Sequence, residues 1–208
     1  MARRGAMIAA CCAAFCLALL TFMVPSSAAN SAPAPAGRVV VIGVPSLLWN
    51  DISETTTPAL WRLTGQGSAA ALSVRTTVAM TCPIDGWLTV SAGQRARLAH
   101  GSCALPPAPT VRGGGAQAAG WPEISRDNAT TSYRADVGVL GDAVHRSPGR
   151  PCTMAVGSGA VYGAADGSGG VDVYAPSVGA VPAGGWSRCA LTVVDVDDVF
   201  RAYITAGV

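Results

Sequence analysis

The 208-residue sequence contains no lysine: all 14 of its basic residues are arginine, a bias that reads as a genome-wide compositional habit rather than a binding surface. Charge is sparse, at 12% of positions, and aromatic residues make up only 6%. Setting aside Arg3 and Arg4 at the N-terminus leaves 12 arginines against 12 acids, with no arginine cluster. Such a body offers no electrostatic footprint for nucleic acid, and none is expected as a partner. Histidine occurs only at His100 and His145, neither at metal-ligand spacing, so each is expected on an exposed loop or helix. What the chain has instead is apolar residues, half of the total, which suffices for the core of one ordinary domain. The five tryptophans are expected in that core or at loop bases.

The apolar residues are not evenly spread. Met1-Ala2-Arg3-Arg4 is a short basic segment, and Gly5 to Val24 is an uncharged apolar run of 20 residues. Such a run enters a membrane, either as a secretory signal or as a retained anchor. Small residues before Asn30 favour cleavage after Ala28 or Ala29, so residues 1–29 are read as signal peptide or N-terminal anchor. Residues 30–37, rich in Ala and Pro, form a stiff linker, and 38–208 form the exported domain. The expected location is secreted or membrane-anchored on the extracytoplasmic side, the membrane being a partner only if the segment is kept.

Cysteine usage fits export. Three of seven cysteines fall in the apolar run, leaving Cys82, Cys103, Cys152 and Cys189, an even number suited to an oxidising compartment. Of the three possible pairings, Cys82 with Cys103 and Cys152 with Cys189 closes the shorter loops, each worth about 3 kcal/mol in the chain-entropy model. A thiolate metal site is the rival, but no C-x-x-C spacing occurs.

The body alternates strands and helices. Arg38 to Val44 is a continuous β-branched run, expected as a parallel strand buried on both faces. Thr57-Pro58-Ala59-Leu60-Trp61-Arg62-Leu63-Thr64 has a cap, a first-turn proline and helical apolar spacing, with Gly65 and Gly67 as a stop. Ala69 to Val78 reads as a second strand and Pro83 to Ala92 as a helix ended by Gly93. Residues 99–133 read mainly as loop, from Pro106-Pro107 and Gly113-Gly114-Gly115, and Asn128-Ala129-Thr130 matches a glycosylation sequon. Residues 137–145 read as a helix, 152–157 as a strand, 160–165 as a short turn or helix, and 190–196 as a second buried strand. The last runs into Asp195, Asp197 and Asp198, where Asp197 and Asp198 also suit the cap of a helix over 199–203.

Ligands of open α/β sheets bind beyond the carboxyl ends of the strands. That rule gathers the residues after Val44, Thr81 ahead of its helix, and the acids after Val194. A hydroxyl facing unpaired helix amides can attack a phosphate or sulfate ester, while the plain alternative is that Thr81 only caps the helix. Carboxylates nearby would supply the oxygen ligands a divalent metal needs.

The order of these pieces resembles the alkaline phosphatase superfamily, which includes sulfatases and nucleotide phosphodiesterases. The resemblance rests on Thr57-Pro58-Ala59-Leu60-Trp61-Arg62-Leu63 with Gly67, and on Thr81-Cys82-Pro83 through Ala92-Gly93. It implies an α/β fold with a mainly parallel sheet flanked by helices, incomplete at its C-terminus. It gives Thr81 the nucleophile position, with Asp51, Asp195 and Asp197 as candidate ligands of Zn, Mn or Ca and a small-molecule ester as substrate. Where the family carries a metal-binding Asp after the first strand, this chain has Val44-Pro45-Ser46. The expectation is therefore an exported envelope protein, catalytically degenerate or of unknown activity, with ester hydrolysis as the alternative.

Overall fold

In a computed structural model the chain is described over residues 37–71, 75–77, 80–99 and 103–206. The apolar segment 1–29, nearly all of the linker, and His100 lie outside the described residues. Among those described, no helix is long and apolar enough to cross a membrane.

The chain is an α/β protein around a four-stranded parallel sheet. Its strands are β1 (Val39–Gly43), β4 (Thr153–Val156), β6 (Val173–Ala175) and β7 (Leu191–Asp195), in the order β1-β7-β4-β6. β7 runs beside β1 in a register that pairs Val41 with Val193 and Gly43 with Asp195. Both β4 and β7 are buried along their whole length, as continuous apolar runs in a parallel sheet should be.

β1 departs from its expected burial. Among the described residues it is the edge strand, Val39, Val40 and Ile42 stand exposed, Ile42 at 60%, and only Val41 of the strand packs on the core. Of the run Ala69 to Val78, expected as a second strand, residues 69–71 and 75–77 are in no strand, and 72–74 and 78–79 lie outside the described residues. Three consecutive alanines are weak strand formers, and β7 takes the place beside β1. The helix α1 (Pro58–Gln66) forms as expected but buries none of its residues, leaving Trp61 and Leu63 exposed. Trp49 and Trp186 are exposed as well, so only Trp87 and Trp121 fill the role expected of the tryptophans.

Two helices cover one face of the sheet: α2 (Pro83–Ala92) and α5 (Ser158–Ala164). Between them Trp87, Leu88, Ala160, Val161 and Tyr162 pack on Ala155 and Val193. The opposite face holds a smaller cluster of Met154, Val156, Val194, Ala175 and Cys189.

The region 99–133 is more ordered than a loop. β2 (Thr110–Arg112) and β3 (Gly115–Gln117) form a hairpin, and β5 (Gly170–Val171) adds to it as a second, antiparallel sheet. Arg112 pairs with Gly115 and both intervening glycines have positive φ, 56° and 87°, so the glycine run is a two-residue hairpin turn. The helix α3 (Trp121–Thr130) follows, and its Asn128 is fully buried. Asn128 Nδ2 donates to the carbonyls of Arg97 and Ile124, and its Oδ1 accepts the Arg97 amide at 2.9 Å. The sequon asparagine is thus a loop clamp, inaccessible to glycosylation in the folded chain. The helices α4 (Val139–Arg146) and α6 (Asp198–Ala206) complete the fold.

The indole of Trp87 needs three glycines. A Cβ on Gly43 would approach its Cζ2 to 2.5 Å, one on Gly159 its Cδ1 to 2.9 Å, and one on Gly163 its Cε3 to 2.8 Å. Gly163→Ala should therefore destabilise the fold by about 1–3 kcal/mol through overpacking. Gly86, in α2, has no atom within 4 Å of its added Cβ, and Gly86→Ala should stabilise by about 0.5–1 kcal/mol. Urea unfolding of the two variants checks both signs.

Candidate functional site

A cleft of about 690 Å³ opens where the sheet rule places it, beyond the carboxyl ends of β1 and β7. The turn Val44-Pro45-Ser46 forms one side, and the N-terminus of α2 with Thr81 and Cys82 forms another. Phe200 and Tyr203 of α6 complete the wall. Its surface is chiefly apolar, and among the described residues Tyr203 is the one titratable side chain lining it apart from the bridged Cys82 and Cys103. Ser46 holds φ at +67°, a left-handed conformation that costs a non-glycine residue roughly 1 kcal/mol or more.

Thr81 is half-buried in this cleft, one residue before the cap of the helix it was expected to cap. The cap is Cys82, because Pro83 fixes the first helical turn one position later. The Asp85 carboxylate reaches back to the Cys82 amide at 3.1 Å and outward to the Leu98 amide at 2.7 Å. Burial raises the Asp85 pKa, and those two amides oppose the rise. Cys82 is bonded to Cys103 and Cys152 to Cys189, the shorter-loop pairing, so Cys82 is no free nucleophile. Two disulfides mark a protein that matures in an oxidising environment.

The carboxylates expected to hold a metal have other partners. Asp195, 8% exposed at the end of β7, accepts the Trp87 indole N–H on Oδ1 at 3.1 Å and the Gly159 amide on Oδ2 at 3.0 Å. Burial pushes its pKa up; the indole hydrogen bond opposes that. Asp197 pairs with Arg201 one turn along α6 at 2.8 Å, and its carbonyl starts that helix. Asp51, exposed, accepts the Leu48 amide at 2.8 Å in a single turn of 3-10 helix. The end of β1 supplies no carboxylate, so these residues do not fit a two-metal centre. Among the described residues no group of three or more His, Cys, Asp or Glu could hold a metal ion.

A polar cluster that spacing did not reveal lies at the other end of the sheet. His145 Nε2 meets Asp172 Oδ2 at 2.8 Å, and its Nδ1 stands 3.7 Å from Asp166. Asp172 also accepts the amide of Thr153 at 2.8 Å, tying the end of α4 to the start of β4. The three residues are 21 and 6 positions apart along the chain, so no local motif announces them. Gly157 and Gly159 likewise serve packing: Gly157 has φ +89° and Gly159 lies against Asp195.

No protein-family model matches the chain, and no curated protein and no solved structure matches it.

Two predictions follow from these contacts. Asp195→Ala leaves the indole N–H and the Gly159 amide buried without acceptors and should destabilise the protein by about 2–4 kcal/mol; denaturant unfolding measures it. Burial works against the charged form of Asp172, but the Thr153 amide and His145 outweigh it and hold its pKa below the ordinary 3.8. Its contribution is thus complete above pH 3.8 and is lost as pH falls through the lower folded value. The Tm gap between wild type and Asp172→Asn should be full at about pH 5 and close on further acidification.

Proposed function

We propose that the chain is an exported α/β domain, laid out like the N-terminal part of an alkaline-phosphatase-type fold, that serves the cell envelope as a non-catalytic binding or structural module. Its cleft takes a neutral, largely apolar group. The observation that carries this reading is the Asp195 carboxylate: the acid at the end of β7 accepts two hydrogen bonds from the core. The apolar wall supports it further, since a cleft of about 690 Å³ lies within the size of small-molecule sites and has few polar groups to orient a charged substrate. Attachment to the membrane would come through the N-terminal apolar segment if that segment is kept.

One observation favours hydrolysis of phosphate or sulfate esters as a second reading. Thr81 adjoins the N-terminus of a ten-residue helix and borders the cleft. A hydroxyl there is suitably situated for attack on an anionic ester.

Protein matured with both disulfides separates the two. N-phenyl-1-naphthylamine, a neutral apolar fluorophore, should bind, and Gly86→Leu, which projects into the cleft, should weaken binding by about tenfold or more. p-Nitrophenyl phosphate and sulfate should not be turned over with Zn, Mn or Ca present. Turnover that disappears in Thr81→Ala would overturn the non-catalytic reading in favour of the hydrolase.

A further inference from the structure

The two disulfides differ in the two properties that govern thiol exchange: which sulfur a thiolate can reach, and which sulfur leaves readily. Cys189 is 2% exposed, in the apolar cluster with Met154, Val156 and Val194. Direct attack on it is blocked. Attack on its half-buried partner Cys152 would expel a Cys189 thiolate into apolar surroundings, where a thiolate is disfavoured. Burial therefore protects this bridge from both sides.

Cys82 and Cys103 are both half-buried, and both border the cleft. Cys82 is the N-cap of α2, so the unpaired amides of the first turn and the positive end of the helix dipole face its sulfur. A thiolate is stabilised in that position. Asp85, in the same turn, opposes it, but its carboxylate is neutralised in part by the Cys82 and Leu98 amides and faces Arg97.

We infer that the Cys82–Cys103 bridge is a reducible modification site on the cleft, opened by a dithiol. One thiolate of the dithiol attacks Cys103 Sγ, and Cys82 Sγ departs as a thiolate held by the α2 N-terminus. The second thiol then attacks the sulfur of the dithiol already bound to Cys103 and releases it. The dithiol ends as a disulfide, its two electrons and two protons having passed to the Cys82 and Cys103 thiols. Opening removes the covalent link between the wall at residue 103 and the start of α2, so the state of the bridge sets the shape of the cleft. The inference concerns the same cleft but does not rest on what the cleft binds.

The test uses the full chain with both bridges formed. Graded dithiothreitol, acid quenching, alkylation and peptide mapping report each pair separately while near-ultraviolet circular dichroism follows the fold. Cys82 and Cys103 should become alkylatable at least about tenfold faster than Cys152 and Cys189, before the dichroism signal is lost. Glutathione, which lacks the second thiol, should be trapped on Cys103 with Cys82 free. Opening of both pairs together, earlier opening of Cys152–Cys189, glutathione on Cys82, or loss of the dichroism signal in step with the first opening would each overturn the proposal.

Discussion

The hydrogen bond from the Trp87 indole to Asp195 joins the parts of this fold that matter to its cleft. The donor stands on α2 and the acceptor ends β7, 108 positions later, so the contact fixes a helix to the sheet where strands give way to loops. The indole fits because Gly43, Gly159 and Gly163, from β1 and α5, present no side chain to it. The same carboxylate accepts the amide of Gly159 and so fixes the start of α5. One bulky ring and one buried acid thus register two helices and two strands against each other. Burial disfavours the ionised acid, and the two donors offset part of that cost.

The surrounding contacts extend this arrangement outward. Asp85 links the first turn of α2 to Leu98, Asn128 clamps Arg97 against α3, and the Cys82–Cys103 bridge returns the chain to α2. Each ties the segment after α2 to a helix by polar or covalent contacts, where a small apolar core would leave it loose. Chemistry at the carboxyl ends of the strands would need an acid that can change partners. Here the acids at that end hold elements in place, and among the described residues the cleft is lined by apolar surface with the hydroxyl-bearing side chains of Ser46, Thr81 and Tyr203.

The parts of the fold legible in the sequence are those with strong local signals. The β-branched runs at 39–43 and 191–195 became neighbouring parallel strands, and proline at positions 58 and 83 marked two helix starts. Of the three cysteine pairings the sequence left open, the one that closes the shorter loops is the one formed. Other features depend on partners remote in sequence. β1 was expected to be buried, but burial is decided by a neighbour on each side, and among the described residues β1 pairs only with β7. Gly113-Gly114 read as loop although the same glycines make a hairpin turn once flanking strands pair. Asn128 showed only a sequon match in the sequence because its acceptors, the carbonyls of Arg97 and Ile124, include one 31 positions away. The strand-end rule points to the end of β1, where the structure has a cleft, but the partners that Asp51, Asp195 and Asp197 take in the fold were not legible, since an acid that binds metal and an acid that holds a fold look alike in one dimension.

The central claim is that Asp195 is a structural acceptor, and the indole N–H resonance of Trp87, assigned with Trp87→Phe, reports on it directly. In the disulfide-bonded protein that proton should exchange slowly with solvent and keep its chemical shift when Zn or Ca is added at neutral pH. A shift of this resonance on addition of either ion, with exchange accelerating as the carboxylate turns to the metal, would contradict the account and return Asp195 to the role of a metal ligand.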